Sequence, residues 1–161
     1  MITLERWQAK NLFDDFKCNA KGICLNCDPS KGCFAMGAEH GNFSKSFVDE
    51  WGRINTTDYK SNEKAMVAEI GGRGPIACAI CVTPAFEAYT GGIFEDTTGC
   101  TSLDHSISIA GYGTDAASGK EYWIGRNSWG TYWGEQGWFR LAKGTNNLGI
   151  EKDCAWATPK L

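Results

Sequence analysis

The sequence predicts an α+β fold in which several antiparallel strands carry one flanking helix. Between residues 105 and 141, apolar residues alternate with small or polar ones over short stretches, as in half-buried strands. A stretch with helical spacing precedes them at residues 61–72. Twenty glycines and seven tryptophans against four prolines indicate a compact, turn-rich chain. Strands with one helix beside them imply an α+β or partly closed barrel architecture.

The length and charge of the chain narrow its possible partners. Its 161 residues suffice for one domain with a hydrophobic core, and no apolar run approaches the roughly 20 residues that span a bilayer. The net charge is −3, and acidic and basic residues are interspersed without a basic patch. We therefore expect neither nucleic acid nor a membrane as a partner.

The first 60 residues have little periodicity, many turn formers and a cluster of four cysteines. These are Cys18, Cys24, Cys27 and Cys33. Their intervals lack the CxxC…CxxC arrangement of a strong zinc site, so a disulfide-stapled loop is favoured over a zinc knot. We therefore divide the chain into an irregular cysteine-rich lead-in, residues 1–60, and a β-rich domain, residues 61–161. We expect neither a metal nor a cofactor.

Two sequons, at Asn42 and Asn55, fit glycosylation on the secretory route, where disulfides also persist. The opening residues, MITLERWQAK, lack the apolar segment and small-residue cleavage site of a signal peptide. We expect that residue 1 is not the natural start of the functional polypeptide. The chain would then be a fragment, a processed chain or the product of a truncated gene model.

The predicted helix begins with Ser61 or Asn62 as its cap and ends at Gly71-Gly72. Its apolar face consists of Ala65, Met66 and Ile70. The mostly apolar run GPIACAICV, residues 74–82, follows a Gly-Pro turn and predicts a buried strand. Residues 84–89 predict one short helical turn before a glycine break.

Three further strands are predicted in the second half. The first begins at His105 and places His105, Ile107 and Ile109 on one face. The turn TDAASGK leads to a second strand, EYWIGRN at residues 121–127. GWFRL, residues 137–141, forms a third strand after the break at GEQG.

His105 and Asn127 are the candidate catalytic residues. Thiol hydrolysis needs an imidazole base and a neutral amide that fixes the ring tautomer. A lone histidine at a strand end is more often structural or exposed, and an asparagine alone is most often a turn residue. The motif NSWG, residues 127–130, makes the catalytic interpretation of the pair stronger than that of either residue alone.

The chain resembles the second half of a papain-family cysteine peptidase. The resemblance runs from YTGGIF at residues 89–94, through DHSISIAGYG at 104–113, to RNSWGTYWGEQGWFRL at 126–141. It implies a papain-like fold, here mainly the C-terminal antiparallel, barrel-like half with one flanking helix. It also implies that His105 is the catalytic histidine and Asn127 the amide that orients it.

The resemblance assigns further residues to the substrate cleft. Trp129 would shield the bond between Asn127 and His105 from water, and Trp133 would line the leaving-group side. A core position is the alternative for both tryptophans. Residues that would line the second substrate subsite or its rim, with ordinary strand packing as the alternative, are Ala79, Leu103 and Asp104.

The resemblance also pairs cysteines, joining Cys27 to Cys33 and Cys78 to Cys154. It leaves the bonding of four cysteines open, and these are Cys18, Cys24, Cys81 and Cys100. The segment KCNAKGICLNCDPSKGC, residues 17–33, resembles the cysteine-rich insertion of one subfamily of lysosomal cathepsins, which act as carboxypeptidases.

A nucleophilic cysteine in a CGSCW-like motif, which the family carries in its first half, is absent from these 161 residues. Cys78 and Cys81 fall in a strand that is predicted to be buried, where a thiol is usually inert. We therefore expect the chain to be inactive alone. The resemblance implies a lysosomal, vacuolar or secreted cysteine peptidase that cleaves near C-termini. Its partners would be a peptide or protein substrate and its own missing N-terminal half. The alternatives are a short pseudo-peptidase that binds or inhibits, and a disulfide-rich secreted structural domain.

Overall fold

The computed structural model describes residues 25–28, 32–35 and 47–160, and the chain divides into two units, Met1–Ser46 and Phe47–Leu161. In the first unit, strands β1 (Leu25–Asp28) and β2 (Gly32–Ala35) form an antiparallel hairpin. Its register places Cys27 opposite Cys33. The disulfide implied for this pair stays a prediction.

The second unit is built on a seven-stranded sheet with the order β3-β9-β4-β6-β7-β8-β5. All ladders are antiparallel except that between β5 and β8, which is parallel. The strands are β3 (Val48–Ile54), β4 (Ile76–Ile80), β5 (Ile93–Phe94), β6 (His105–Thr114), β7 (Glu121–Arg126), β8 (Trp138–Ala142) and β9 (Cys154–Pro159). The helices are α1 (Tyr59–Arg73) and the single turn α2 (Pro84–Glu87), and a 3-10 turn covers Asn147–Gly149.

The α+β prediction is confirmed, but the sheet is not closed into a barrel. Strands β3 and β5 stand at its two ends, and no ladder among the described strands joins them. Strand β5 contributes only two residues, so it adds little to that end of the sheet. The arrangement is an open sheet with one long helix.

Helix α1 begins earlier than the sequence predicted. Its N-cap is Asp58, whose carboxylate accepts hydrogen bonds from the backbone N–H groups of Lys60 and Ser61. The predicted caps, Ser61 and Asn62, are therefore wrong, because both lie inside the first turn. The apolar face is confirmed in Met66 and Ile70, which are buried.

Strand β3 lies within the segment expected to be an irregular lead-in. It runs antiparallel to β9, with Val48 opposite Pro159 and Ile54 opposite Cys154. The second unit therefore starts at Phe47, so the predicted boundary at residue 60 falls inside α1. Because β3 is an edge strand and is mostly exposed, its sequence lacks the alternation that marked the inner strands.

The core lies where α1 and the loops cover the inner strands. Its largest fully buried side chains are Trp123, Phe86, Phe139, Met66, Ile80, Ile109 and Leu141. A disulfide between Cys78 and Cys154 joins β4 to β9, and another between Cys81 and Cys100 joins the end of β4 to the loop before β6. Among the described residues, no helix is long and apolar enough to cross a membrane.

Candidate active site

His105 is the first residue of β6 and lies opposite Ile80 in the register of β4. The preceding residue, Asp104, donates its backbone N–H to the carbonyl of Ile80 at 3.0 Å, so the pairing begins one residue before the histidine. The imidazole is half-buried. The sheet therefore fixes the backbone of His105 while its ring stays partly accessible.

Asn127 directly follows β7, the strand beside β6. Its backbone N–H donates to the carbonyl of Gly137 at 2.9 Å, which ties it to the end of the loop before β8. Its side chain is buried, with 7% of the residue exposed. The β6–β7 ladder thus brings Asn127 beside His105, although 22 residues separate them in sequence.

The two side chains form one hydrogen bond, 2.9 Å between His105 Nε2 and Asn127 Oδ1. The backbone N–H of Ser128 donates to the same Oδ1 at 2.8 Å, and this identifies the atom as the acceptor. Because an amide oxygen only accepts, Nε2 of His105 must carry the proton. In the neutral ring, the lone pair is then on Nδ1.

Trp129 packs against the imidazole of His105. Its ring stacks on His105 with centroids 5.1 Å apart and an interplanar angle of 22°. It also meets the ring of Trp133 edge to face at 5.0 Å. The stacked indole restricts rotation of the imidazole and separates one side of it from solvent.

Comparison with known proteins shows the family. The sequence model of the family described as papain family cysteine protease matches residues 25–158, which is more than half of the chain. The chain belongs to the papain family of cysteine proteases. This confirms the prediction made from the motifs around His105 and Asn127.

The chain is 42% identical to cathepsin Z of Onchocerca volvulus over 164 residues, which cover 98% of this chain and 48% of that protein. It is 44% identical to fruit bromelain of Ananas comosus over 88 residues, which cover 55% of this chain and 24% of that protein. The chain thus spans half or less of the length of these curated relatives. Residues 17–33 resemble the cysteine-rich insertion of cathepsin Z, which is also called cathepsin X.

Solved structures confirm the papain-like fold. The Ananas comosus bromelain protease in complex with the inhibitor E64 is 33% identical, with a TM-score of 0.61, over 70% of this chain and 51% of that one. A digestive procathepsin L 3 from the larval midgut of Tenebrio molitor is 31% identical, with a TM-score of 0.62, over 73% of this chain and 40% of that one.

Trp133, which the papain family resemblance places on the leaving-group side of the cleft, is buried. Its indole Nε1–H donates to the carbonyl of Glu87 at 2.8 Å, and 7% of the residue is exposed. Its ring meets those of Phe86 and Phe139 edge to face at 5.2 and 6.0 Å. These contacts are those of a core aromatic residue, and the role of Trp133 in the cleft stays a prediction.

The residues assigned to the second subsite lie around the start of β6. Ala79 is half-buried opposite Ser106. Leu103 is half-buried and packs on Gly149, where an added Cβ would lie 2.9 Å from its Cδ2. Asp104 is exposed, and its Oδ1 accepts the backbone N–H of Val82 at 2.9 Å. The structure brings them together with His105, and their contact with substrate stays a prediction.

Two open depressions flank Asn127, with volumes of about 430 and 320 Å³. Both contain Arg126, Asn127 and Ser128. The first is completed by Ser106, Ile107 and Ser108 on β6, the second by the loop between Gly130 and Trp138. The hydrogen-bonded pair therefore lies at the edge of open, concave surface and not inside a closed cavity.

Two backbone groups that hold side chains of the candidate site were not predicted from the sequence. The Ser128 N–H and the Val82 N–H act through their backbones, which carry no residue-type signal.

Cys81 and Cys100, whose bonding the sequence left open, are paired. Asn55 is exposed after β3, whereas Asn42, Cys18 and Cys24 lie outside the described residues. Within the described residues, no group of His, Cys, Asp or Glu could hold a metal ion.

Proposed function

We propose that the protein is the imidazole-bearing half of a cathepsin X-type cysteine peptidase that hydrolyses peptide bonds near C-termini. The observation that carries this proposal is the 2.9 Å bond between His105 Nε2 and Asn127 Oδ1, with Oδ1 fixed by the Ser128 N–H. A thiol peptidase needs this combination of a base and a neutral orienting amide. Family membership supports the same chemistry.

In this proposal, Nδ1 of His105 acts as the base, which the bond from Nε2 to Asn127 supports. It accepts the proton of a cysteine thiol, and the resulting thiolate attacks the carbonyl carbon of the peptide bond. As the tetrahedral intermediate collapses, the amine leaves with the proton that Nδ1 returns. Nε2 stays protonated and bonded to Asn127 throughout these steps.

The second half of the cycle uses the same nitrogen. Nδ1 of His105 takes a proton from water, and the hydroxide formed attacks the acyl thioester. The thiolate leaves, the acid product departs, and the imidazolium remains paired with the thiolate. Stacking by Trp129 at 5.1 Å keeps the ring in the orientation that both halves of the cycle require.

The nucleophile in this proposal comes from outside these 161 residues. Two disulfides occupy four cysteines, namely Cys78, Cys81, Cys100 and Cys154. None of the eight cysteines in the sequence follows a CGSCW-like pattern. We therefore expect the chain alone to be inactive and its partner to be the half that carries the thiol.

The substrate and the site of action follow from the subfamily and are part of the proposal. A carboxypeptidase of this type would act on peptide or protein C-termini in a lysosome or vacuole, or after secretion. The exposed sequon at Asn55 supports passage through the secretory route. Disulfides persist in the oxidising compartments of the secretory route.

Complementation tests the proposal. The chain is co-expressed with the portion of Onchocerca volvulus cathepsin Z that lies outside the matched region, and the product is treated with an epoxide thiol probe. We expect labelling of the complex and none of the chain alone. Replacing His105 by Ala should slow labelling by roughly 10²- to 10⁴-fold, because the thiol loses its base.

The matched control for this experiment is His40→Ala, a change of the only other histidine in the sequence. It should leave the labelling rate of the complex unchanged. A complex that forms but reacts equally fast with and without His105 would overturn the peptidase proposal. A complex that binds peptide without any labelling would instead favour the pseudo-peptidase alternative.

A further inference from the structure

The loop of residues 95–104 joins β5 to β6 and leads directly into His105. Its first half is held by Asp96, whose carboxylate accepts the backbone N–H groups of Thr98, Gly99 and Cys100 at 3.0, 2.9 and 3.3 Å. The backbone N–H of Asp96 itself donates to Oδ1 of Asn147 at 3.0 Å. These bonds form a local turn that ends at Cys100.

The second half of the loop has fewer hydrogen bonds. Lys152 Nζ donates to the carbonyl of Thr101 at 3.2 Å on the surface, and Leu103 packs on Gly149. Asp104 then donates its backbone N–H to the carbonyl of Ile80, the last residue of β4, and its carboxylate accepts the backbone N–H of Val82, just after that strand. The segment between the Asp96 turn and Asp104 therefore depends on its covalent link at Cys100 for much of its order.

The disulfide at Cys100 joins the loop to the stretch of chain that holds Asp104. The partner of Cys100 is Cys81, and the two backbone groups bonded to Asp104 belong to Ile80 and Val82, on either side of Cys81. The disulfide and the two hydrogen bonds thus clamp both ends of residues 100–104 to one short stretch of chain. Opening the disulfide removes the covalent tie between the segment that bears Leu103 and the stretch of chain that holds Asp104.

The two disulfides of this unit differ in their access to solvent. Cys78 and Cys154 are 3% and 2% exposed and lie directly opposite each other in the β4–β9 ladder. Cys81 is 2% exposed, but Cys100 is only half-buried, in a loop. Because exchange begins with a thiolate reaching a sulfur atom, Cys100 is the first point of attack.

We propose that the Cys81–Cys100 disulfide is a redox-sensitive clamp that positions the Leu103–Asp104 rim beside His105. A small thiolate attacks Sγ of Cys100, the S–S bond breaks, and Cys81 leaves as a thiolate that takes up a proton. A second thiol molecule then attacks the mixed disulfide, releasing Cys100 as a thiol and the reductant as its own disulfide. Two electrons pass from the reductant to the protein.

The functional meaning of this clamp rests on the proposed peptidase function. A cysteine nucleophile works only as a free thiolate, so the enzyme needs reducing conditions. The same thiols that keep the nucleophile reduced would release the rim of the second subsite. Thiol concentration would then control the order of the substrate rim as well as the state of the nucleophile.

Differential alkylation of the full chain tests the selectivity of the clamp. The folded chain is held at increasing dithiothreitol concentrations and treated with light iodoacetamide, then unfolded, reduced and treated with heavy iodoacetamide. We expect Cys81 and Cys100 to take the light label at a concentration at least tenfold below that which labels Cys78 and Cys154. Simultaneous labelling of both pairs would overturn the proposal.

Hydrogen exchange of the same chain tests the positioning. On selective reduction we expect the amides of Val82 and Asp104 to exchange at least tenfold faster, while that of Ile107 in β6 keeps its rate. Unchanged exchange at Val82 and Asp104 would show that the disulfide positions nothing.

Matched double variants separate the clamp from general stability. C81S/C100S should reproduce the exchange pattern of the reduced chain, whereas C78S/C154S should leave the ratio of Asp104 to Ile107 exchange rates unchanged. If C81S/C100S does not fold, selective reduction of the unaltered chain still gives the answer. None of these measurements depends on peptide hydrolysis, so failure of the clamp and failure of the proposed function remain distinguishable.

Discussion

Glu135 connects the loop that precedes β8 to Gly92, before β5, and to Arg140 on β8. Its carboxylate accepts the backbone N–H of Gly92 at 2.9 Å and pairs with the guanidinium of Arg140 at 2.6 Å. The loop ends at Gly137, whose carbonyl receives the backbone N–H of Asn127. The charge state of Glu135 therefore bears on the segment that holds the orienting amide.

The hydrogen bond from Arg140 lowers the pKa of Glu135 below its ordinary value, with the Gly92 N–H acting in the same direction and burial opposing them. The folded form thus binds this proton less readily than the unfolded chain. The stabilisation is complete above the unfolded value, near pH 4.3, and disappears as the pH falls through the lower folded pKa.

We predict that Glu135→Gln reduces the free energy of unfolding at neutral pH and that the difference from the unaltered chain shrinks in acid. Urea denaturation in steps from about pH 6 to pH 3 measures this difference, because the stabilisation is linked to proton binding. A difference that stays constant over this range would show that the ionised carboxylate is not its source.

At the scale of the elements, strand β7 can carry Asn127 at its end because Gly125 leaves room for Phe139 on β8. A Cβ built at Gly125 would lie 2.1 Å from Cζ of Phe139, a ring that is fully buried. The two strands could not keep their register and this packing with a larger residue at position 125. The site depends on that register, since Asn127 follows two residues later.

We predict that Gly125→Ala lowers the free energy of unfolding by about 1–3 kcal/mol, the usual cost of overpacking a core. Gly111→Ala on β6 is the matched control, because its added Cβ would lie 3.4 Å from Ile124 Cδ1. We expect the control to stay within about 0.5 kcal/mol. Equal losses in urea denaturation would contradict the role of the Phe139 contact.

The inner strands were predictable from the sequence because one of their faces is buried and alternation follows from that. Ile107 and Ile109 carry this signal in β6, and both are buried. Strand β3 carries no such signal, since only Ile54 of its seven residues is buried. The start of α1 was misplaced because Ser61 is as good a cap by type as Asp58, and only the folded chain decides between them.

The site was predictable in its side chains but not in its backbone. His105 and Asn127 stand in motifs that depend on residue type, whereas the Ser128 N–H that orients the amide could belong to any residue. Glu151, in the core, is a second residue whose hydrogen-bond partners could not be predicted from residue types. It is fully buried, and its carboxylate accepts N–H groups from Trp123, Gly144 and Asn146 that converge only after folding.

At the scale of the whole molecule, the two disulfides within residues 47–160 restrict the unfolded chain to different extents. Cys78–Cys154 spans 76 residues and Cys81–Cys100 spans 19. Loop-closure entropy gives stabilisations of about 4.5 and about 3 kcal/mol for loops of these lengths. The longer bridge therefore contributes more to the stability of the β-rich unit than the shorter one does.

We predict that C78S/C154S lowers the free energy of unfolding by about 1 kcal/mol more than C81S/C100S does, because it releases the longer loop. Urea denaturation of both double variants beside the unaltered chain measures the two losses. A larger loss from C81S/C100S would show that the shorter bridge governs the fold of the whole unit.

In the function proposed for this chain, Nδ1 of His105 is free to act as a base because Asn127 holds the proton on Nε2. Nitrogen-15 NMR of the His105 ring tests it directly, since the two ring nitrogens of neutral histidine give separate signals for the protonated and the free site. We predict a protonated Nε2 and a free Nδ1, and a mixture of both tautomers in Asn127→Ala. A ring protonated on Nδ1 in the unaltered chain would contradict the account.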